Sequence, residues 1–324
     1  MLTAFVHSPD GVTRKVDSVD AVRAAWQQPD VRVWVDLETP EEAELRALRE
    51  VFHLDEEALQ DCLQGEQWPR IDDFDAYIFL VLYGLFGLKE RGDVDPHKLA
   101  VFCGPRFLIT VHREPLLTVR LVKARCGRHP ESVIARGVDY TLCTIIDLMV
   151  DNYLRVAERY EQRLDALEDQ SFRPDVDETL LSGLAELRRD LLELRRLAAS
   201  QQELLRPLML GEYDFVSGSL SQQFQHVRDH LSQVIDTVNG LRELLGGVYN
   251  NYHSVLTGRT NEIMKLLTIF AGILLPLTLI AGIYGMNLEG LPAAKHPMSF
   301  WWVLGGMAGI ALILYWSFRR RKWL

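Results

Sequence analysis

The sequence has few cysteines and lacks the common catalytic and nucleotide-binding motifs. Its four cysteines, Cys62, Cys103, Cys126 and Cys143, are far apart and include no Cys-x-x-Cys pair, so we expect neither a disulfide framework nor a cysteine-based zinc site. Gly-x-Gly-x-x-Gly, P-loop and Gly-x-Ser-x-Gly patterns are also absent. No catalytic constellation supports an enzyme, and we expect none.

Basic charge is also scarce. The chain has 35 Lys and Arg against 45 Asp and Glu, for a net charge of −10, and nucleic-acid binding needs a basic surface. We therefore expect no nucleic-acid partner. The first residues contain no apolar core of signal-peptide length, so we expect about the first 260 residues to stay in the cytoplasm.

Two stretches near the end, Leu266–Tyr284 and Phe300–Phe318, have no charged residue and no histidine. Each is about 19 residues long, enough to cross roughly 30 Å of hydrocarbon as a helix. The alternative, a buried helical hairpin in a soluble protein, is disfavoured by two such spans side by side. Cations follow the second span, so both termini are expected in the cytoplasm and loop 285–299 outside. These cations are Arg319, Arg320, Arg321 and Lys322.

The rest of the chain divides into a mixed domain and a helical region. Residues 1–130 predict an α/β domain, with a helix capped by Thr39 and begun by Pro40. Residues 131–210 predict an antiparallel helical hairpin with its tip near Phe172–Asp175, and residues 211–265 a stalk helix that enters the first span. A helix that long needs partners, either a bundle or copies of itself. The strands are predicted at 31–38, 76–86, 98–104 and 106–113.

One side of the first span carries small or weakly polar residues at alternating spacings of three and four. Such a stripe is typical of close helix–helix packing in membranes, and it is also what a pore would need. Two spans cannot enclose a channel, so a pore would require a ring of subunits. Pro276 removes one backbone donor within this span. The stripe consists of Asn261, Met264, Thr268, Ala271, Leu275, Thr278, Gly282 and Gly285, and Leu267 could equally face the axis.

Residues 260–287, TNEIMKLLTIFAGILLPLTLIAGIYGMN, resemble the signature of the CorA family of divalent-cation channels. The Gly-Met-Asn triplet at the outer end of the first of two terminal spans, the RRRKWL ending and the domain order all fit that family. The resemblance implies a funnel-shaped homopentamer in the cytoplasmic (inner) membrane, with five first spans around the pore and the second spans outside. It thus implies an α+β membrane protein that takes up Mg²⁺, with Co²⁺ or Ni²⁺ as further cargo.

The resemblance also implies roles for single residues. Asn287 would form the selectivity ring, with the mouth shaped by Tyr284, Gly285 and Met286. Asn side-chain oxygens can accept hydrogen bonds from the water shell of Mg²⁺, which loses its waters reluctantly. The glycine would let the backbone turn sharply. Inside the pore the family pattern places a polar ring at Thr278, a hydrophobic gate at Leu275, Leu267 and Met264, and a further polar ring at Asn261.

The outer loop leaves the choice of metal open. Glu289 is its only carboxylate and could concentrate cations or simply be solvated. Met286 favours the magnesium branch over the related ZntB-type zinc transporters. Zinc uptake coupled to protons remains the alternative. A membrane-anchored cytosolic scaffold is a further alternative, which the polar stripe disfavours. No cofactor is expected beyond the transported and regulatory divalent cation.

Family members are gated by metal bound to their cytoplasmic domains. Alignment from NEIMK places one family sensor acid at His226, with Asp229 and His230 close in sequence. His226 and His230 are four residues apart and could bind Zn²⁺ or Ni²⁺, or could simply face solvent. The acids Asp72, Asp73 and Asp75 could contribute from the α/β domain or mark a solvated strand entrance. The hairpin tip is acidic, and the Arg/Lys run at the end is expected to ring the cytoplasmic side of the pore.

Overall fold

The computed structural model describes residues 1–64, 68–88, 94–173, 179–286, 298–321 and 323. It forms two compact units, Met1–Val248 and Tyr249–Leu324. The strands are β1 (Leu2–His7), β2 (Thr13–Val16), β3 (Arg32–Glu38), β4 (Arg70–Asp73), β5 (Ile78–Leu88), β6 (Val94–Cys103) and β7 (Phe107–His112). The helices are α1 (Val19–Trp26), α2 (Glu42–Phe52), α3 (Glu56–Leu63), α4 (Leu117–Arg128), α5 (Val138–Ser171), α6 (Thr179–Leu210), α7 (Ser221–Tyr284) and α8 (Ser299–Arg320).

The first unit is built on one sheet of seven strands in the order β2-β1-β3-β7-β6-β5-β4. All neighbours are antiparallel except β3 and β7, which are parallel. Strand β7 is buried along its whole length, as expected for a central strand covered on both faces. The mixed sheet confirms the predicted α/β domain, and β3, β5, β6 and β7 lie where the sequence places strands.

The predicted cap of α2 is wrong. Glu41 is the N-cap, in a capping box with Glu44, and the helix begins two residues later than expected. Thr39 instead has a left-handed φ of 50°, and its hydroxyl donates to the carbonyl of Arg113 at 2.9 Å. This contact ties the end of β3 to the end of β7, so tertiary structure overrides the local capping preference of Thr39.

Helices α5 and α6 form the predicted antiparallel pair. Arg163 of α5 pairs with Glu186 at 3.0 Å and with Asp190 at 3.1 Å, both on α6. Of the acids at the tip, Glu168 and Asp169 lie in the last turn of α5, while Asp175, Asp177 and Glu178 lie outside the described residues.

The part of α7 within the first unit has a regular apolar seam. Its buried residues recur at alternating spacings of three and four, the pattern of a helix packed along others. Gln202 of α6 donates to Ser232 at 2.5 Å, and Arg195 of α6 donates to Asn239 at 2.9 Å, so α6 is one of these partners. The buried seam consists of Phe224, Val227, Leu231, Val234, Val238, Leu241, Leu245 and Val248.

The second unit contains the rest of α7 and α8, the two helices long and apolar enough to cross a membrane. Gly272 of α7 contacts Phe318 near the end of α8, where an added Cβ would lie 3.0 Å from the ring. Ile280 and Tyr284 line a cavity with Ser299 and Trp302 at the beginning of α8. The two helices are therefore antiparallel neighbours.

Candidate functional site

The small-residue stripe of α7 faces away from α8. The side of α7 next to α8 is marked by Gly272, Ile280 and Tyr284 from those contacts, and by Ile269, which is 6% exposed. At about 100° of rotation per residue, the stripe is centred about 145° around the helix from that side. Within one subunit every described member of the stripe is exposed, as is Leu267. The stripe thus leaves polar and small groups on a membrane helix without cover from the described residues of its own chain.

The threonines on this stripe are bonded to their own helix. Thr268 donates its hydroxyl proton to the carbonyl of Met264, and Thr278 donates to that of Leu274, both at 2.7 Å. Each hydroxyl oxygen therefore presents its lone pairs outward and can accept a hydrogen bond from water. Pro276 lies between them and supplies no N–H to the carbonyl four residues earlier.

The described residues at the C-terminal end of α7 continue the helical hydrogen bonding. The Gly285 amide donates to Ala281 at 2.8 Å, and Met286 donates to Ile283 at 3.3 Å. A Cβ on Gly285 would lie 3.0 Å from the Ala281 carbonyl oxygen. Gly285 is not among the described glycines with positive φ. Tyr284 points to the cavity beside α8, while Asn287 and Glu289 lie outside the described residues.

A second polar cluster lies between α5 and α7 in the first unit. Ligand atoms of Asp147, Asp151 and His230 all lie within 4.8 Å of one another, and His230 Nδ1 is 3.9 Å from an Asp151 oxygen. The His226 ring lies against that of His230, with centroids 4.1 Å apart. Asp147, Asp151 and His230 can together offer one imidazole and two carboxylates to a divalent ion, with the His226 imidazole beside them.

The electrostatics of this cluster suit a cation. Burial raises the pKa of Asp147, and the negative charge of Asp151 raises it further, while His226 and His230 act in the opposite direction. Two partly buried carboxylates held close together repel each other, and a bound cation would remove that repulsion. The sequence predicted His226 and His230 but missed the two acids. Their signal is an i, i+4 pair of Asp on an otherwise apolar stretch of α5.

The other predicted sensor residues lie elsewhere. Asp229 accepts a hydrogen bond from Gln225 at 2.6 Å. Asp72 pairs with Arg70 at 2.7 Å, and Asp73 accepts from the amide of Asp75 at 3.0 Å in a turn. Over the described part of the chain, one His/Cys/Asp/Glu group has metal-binding geometry. It does not include Asp229, Asp72, Asp73 or Asp75.

The basic ending occupies the last turn of α8 and the residue after it. Arg319, Arg320 and Arg321 are exposed, and the Arg320 guanidinium lies 5.5 Å from the Trp316 ring centre. Lys322 lies outside the described residues.

The chain combines a mixed-sheet domain, a long helical hairpin and a helix that leads into an apolar antiparallel pair. This combination defines a class of membrane transport proteins. The model of the family described as "CorA-like Mg2+ transporter protein" matches residues 30–320. The chain therefore belongs to this family and is a divalent metal cation transporter with two C-terminal membrane-spanning helices.

Individual relatives agree over most of the chain. YfjQ of Bacillus subtilis is 31% identical over 299 residues, which cover 92% of each protein. The cobalt/magnesium transport protein CorA of Thermotoga maritima is 30% identical over 275 residues, 85% of this chain and 78% of that protein. The complete structure of the CorA magnesium transporter from Methanocaldococcus jannaschii matches with a TM-score of 0.88 at 25% identity, covering 100% of this chain and 99% of that one. This match confirms the predicted fold class.

Proposed function

We propose that five copies of the chain surround a pore lined by the stripe of α7, and that this pore takes up Mg²⁺, with Co²⁺ and Ni²⁺ as further cargo. The observation that carries the proposal is the position of the stripe. Its exposed members face about 145° away from the side that packs on α8. In a ring with α8 outside, the stripe of α7 points to the axis, where Thr278 and Thr268 meet water instead of lipid.

The proposed ion keeps its water shell through the pore. Residues Leu266–Tyr284 contain no acidic side chain, so no carboxylate would hold the ion and slow its release. Amide oxygens of Asn287 at the mouth and the outward lone pairs of Thr278 would accept hydrogen bonds from that shell. The protein lies in the inner membrane with its N- and C-termini in the cytoplasm. The membrane potential then drives uptake with about 4.6 kcal/mol per divalent ion per 100 mV.

Thiol labelling of single-cysteine additions tests the pore wall. Leu275→Cys and Thr278→Cys should react with a charged, water-soluble methanethiosulfonate reagent, and that reaction should block uptake. Phe270→Cys and Leu274→Cys are matched controls, because both positions are as exposed in one subunit, at 64% and 56%, but lie off the stripe. The background is low because the four native cysteines are buried. The proposed pore would be contradicted by equal labelling of all four positions. It would also be contradicted if the protein were a monomer in detergent.

Flux into liposomes tests the selectivity assignment. Wild-type protein should carry Mg²⁺, Co²⁺ and Ni²⁺, and Asn287→Ala should change both the rate and the order of preference. If the rates and the order of preference were unchanged, Asn287 would not form the selectivity ring. Zn²⁺ belongs in the same series, since zinc-selective, proton-dependent uptake would favour the ZntB-type alternative.

We further propose that a divalent ion bound by the α5–α7 cluster restrains the pore. Such an ion would tie α5 to the same helix that carries the stripe. Imidazole ligands suit Co²⁺, Ni²⁺ and Zn²⁺ better than Mg²⁺, which prefers oxygen. The potency of metals that inhibit from the cytoplasmic side should therefore follow their affinity for imidazole, and not the rates at which they are transported.

The double variant Asp147→Asn/Asp151→Asn should abolish that inhibition while uptake persists. It should also abolish the visible absorption of bound Co²⁺ in the purified protein. Asp229→Asn is the control, since it removes an acid from α7 whose described partner is Gln225 and which is outside the cluster. The sensor proposal fails if wild-type protein shows no such absorption, or if Asp229→Asn has the same effect as the double variant.

A further inference from the structure

The end of α8 combines exposed cations with aromatic rings. Arg319, Arg320 and Arg321 are consecutive and exposed. Consecutive helical residues point about 100° apart, so the three guanidinium groups surround the helix end. The Trp323 ring stacks on Phe318 at 5.9 Å because the chain turns back, with the Trp323 amide donating to the Phe318 carbonyl at 3.1 Å. Trp316 is 63% exposed beside Arg320.

Contacts between the two helices bring a further cation to the same depth. Phe318 packs against Gly272 of α7, which fixes α8 at that level. Lys265 precedes Gly272 by two helical turns, about 10 Å along the axis. The arginines follow Phe318 in the same direction and have long side chains. Lys265 and Arg319–Arg321 therefore reach a common level, where the uncharged parts of both helices end.

The charge at this level is strongly positive. Among the described residues from Arg259 to Lys265 and from Ser317 to Arg321 there are five cations, and Glu262 is the only acid. Cations beside an anionic leaflet each add favourable binding free energy, and guanidinium groups match the phosphate oxygens in two-pronged geometry. Indole rings such as those of Trp316 and Trp323 prefer the layer between headgroups and hydrocarbon.

We propose that this end of the α7–α8 pair is a binding site for anionic phospholipid headgroups of the surrounding bilayer. The arginines and Lys265 bind the headgroup phosphate, and the indoles of Trp316 and Trp323 lie at the glycerol level. The occupant is a membrane lipid of the phosphatidylglycerol type, held in preference to a zwitterionic lipid with the same acyl chains. The site is independent of which ion the protein carries and of which side of the membrane it occupies.

Native mass spectrometry of the full-length protein tests this site, with phosphatidylglycerol and phosphatidylcholine of identical chains as probes. Each arginine should contribute about fivefold to the preference for the anionic lipid, so the Arg319→Gln/Arg320→Gln/Arg321→Gln variant should lose on the order of a hundredfold. The control Arg120→Gln/Arg188→Gln/Arg189→Gln removes the same charge from exposed positions of the first unit and should keep the wild-type preference.

Two further arms separate the possible outcomes. Replacing Arg319–Arg321 by lysine retains the charge and should retain most of the preference, which guards against a glutamine variant that fails to insert. Soluble glycerol phosphate should not displace the lipid at millimolar concentration; displacement would identify a free-phosphate site and overturn the lipid assignment. The proposal is also overturned if the glutamine triple variant keeps the wild-type preference, or if the control triple variant loses it.

Discussion

A buried charge cluster in the sheet leads to a sharp prediction about stability. Asp36 of β3 is 1% exposed and lies beside Thr110 of β7, whose hydroxyl donates to it at 2.6 Å. Lys123 Nζ is 2.6 Å from one Asp36 oxygen, and His112 Nε2 is 3.3 Å from the other. Asp36→Asn removes the anion and leaves the Lys123 ammonium and the buried His112 ring facing a neutral amide.

The expected cost is that of breaking a buried ion pair, about 3–5 kcal/mol, or a fall in unfolding temperature of about 6–20 °C for a domain of this size. Thermal unfolding in detergent, followed by tryptophan fluorescence, measures it, since Trp34 donates to Thr110 at 3.1 Å. Glu38→Gln is the matched control on the same strand. Glu38 is 39% exposed and 3.8 Å from Lys123, so its loss should cost less than about 1 kcal/mol.

The pH dependence gives a second, independent signature. Burial alone would lower the pKa of His112, but Asp36, the Glu114 carbonyl and the Glu38 charge together raise it above 6.5. That contribution is present below about pH 6.5 and is lost as pH rises through the folded-state pKa. Burial alone would raise the pKa of Asp36, but His112 and Lys123 lower it, so its contribution is lost only as pH falls below about 3.8.

In Asp36→Asn the histidine loses its anionic partner, and burial then favours its neutral form. Stability of this variant should therefore rise with pH across 6.5, where the His112 contribution in the wild type falls. An unfolding temperature within 2 °C of wild type at pH 5.5, 7 and 8.5 would refute the ion-pair reasoning, as would an equal loss in Glu38→Gln.

Three further predictions concern packing and the pore. Gly272→Leu should lower the unfolding temperature of the α7–α8 pair and Gly272→Ala much less, because the added Cβ already lies 3.0 Å from the Phe318 ring; equal effects would contradict that packing. Tyr153→Phe should cost about 1–3 kcal/mol in chemical denaturation, since Gln201, which donates to the Tyr153 hydroxyl at 2.5 Å, loses its buried acceptor; a variant as stable as the wild type would contradict that bond. Thr278→Val should slow Mg²⁺ flux without lowering the unfolding temperature, because it removes the hydroxyl proposed to contact the hydrated ion; unchanged flux would argue against a polar ring there.

Several features of the fold could be read from local patterns. Strands such as Arg32–Glu38 and the long helices follow from apolar spacing, which depends only on neighbouring residues. The cap of α2 could not be read in this way, because Thr39 is held by the carbonyl of Arg113, 74 residues away. The selectivity role of Asn287 remains a prediction from the family resemblance, and the role of the loop carboxylate Glu289 remains a prediction from the sequence.

The sequence by itself determined the two membrane spans, the family motif and the stripe on α7, because each is a pattern along a single helix of fixed period. Only the tertiary structure decided which way the stripe faces relative to α8, and that Asp147 and Asp151 of α5 meet His230 of α7. Those arrangements arise from packing between segments distant in the chain. Helical periodicity places a residue on a face but does not specify what packs against that face.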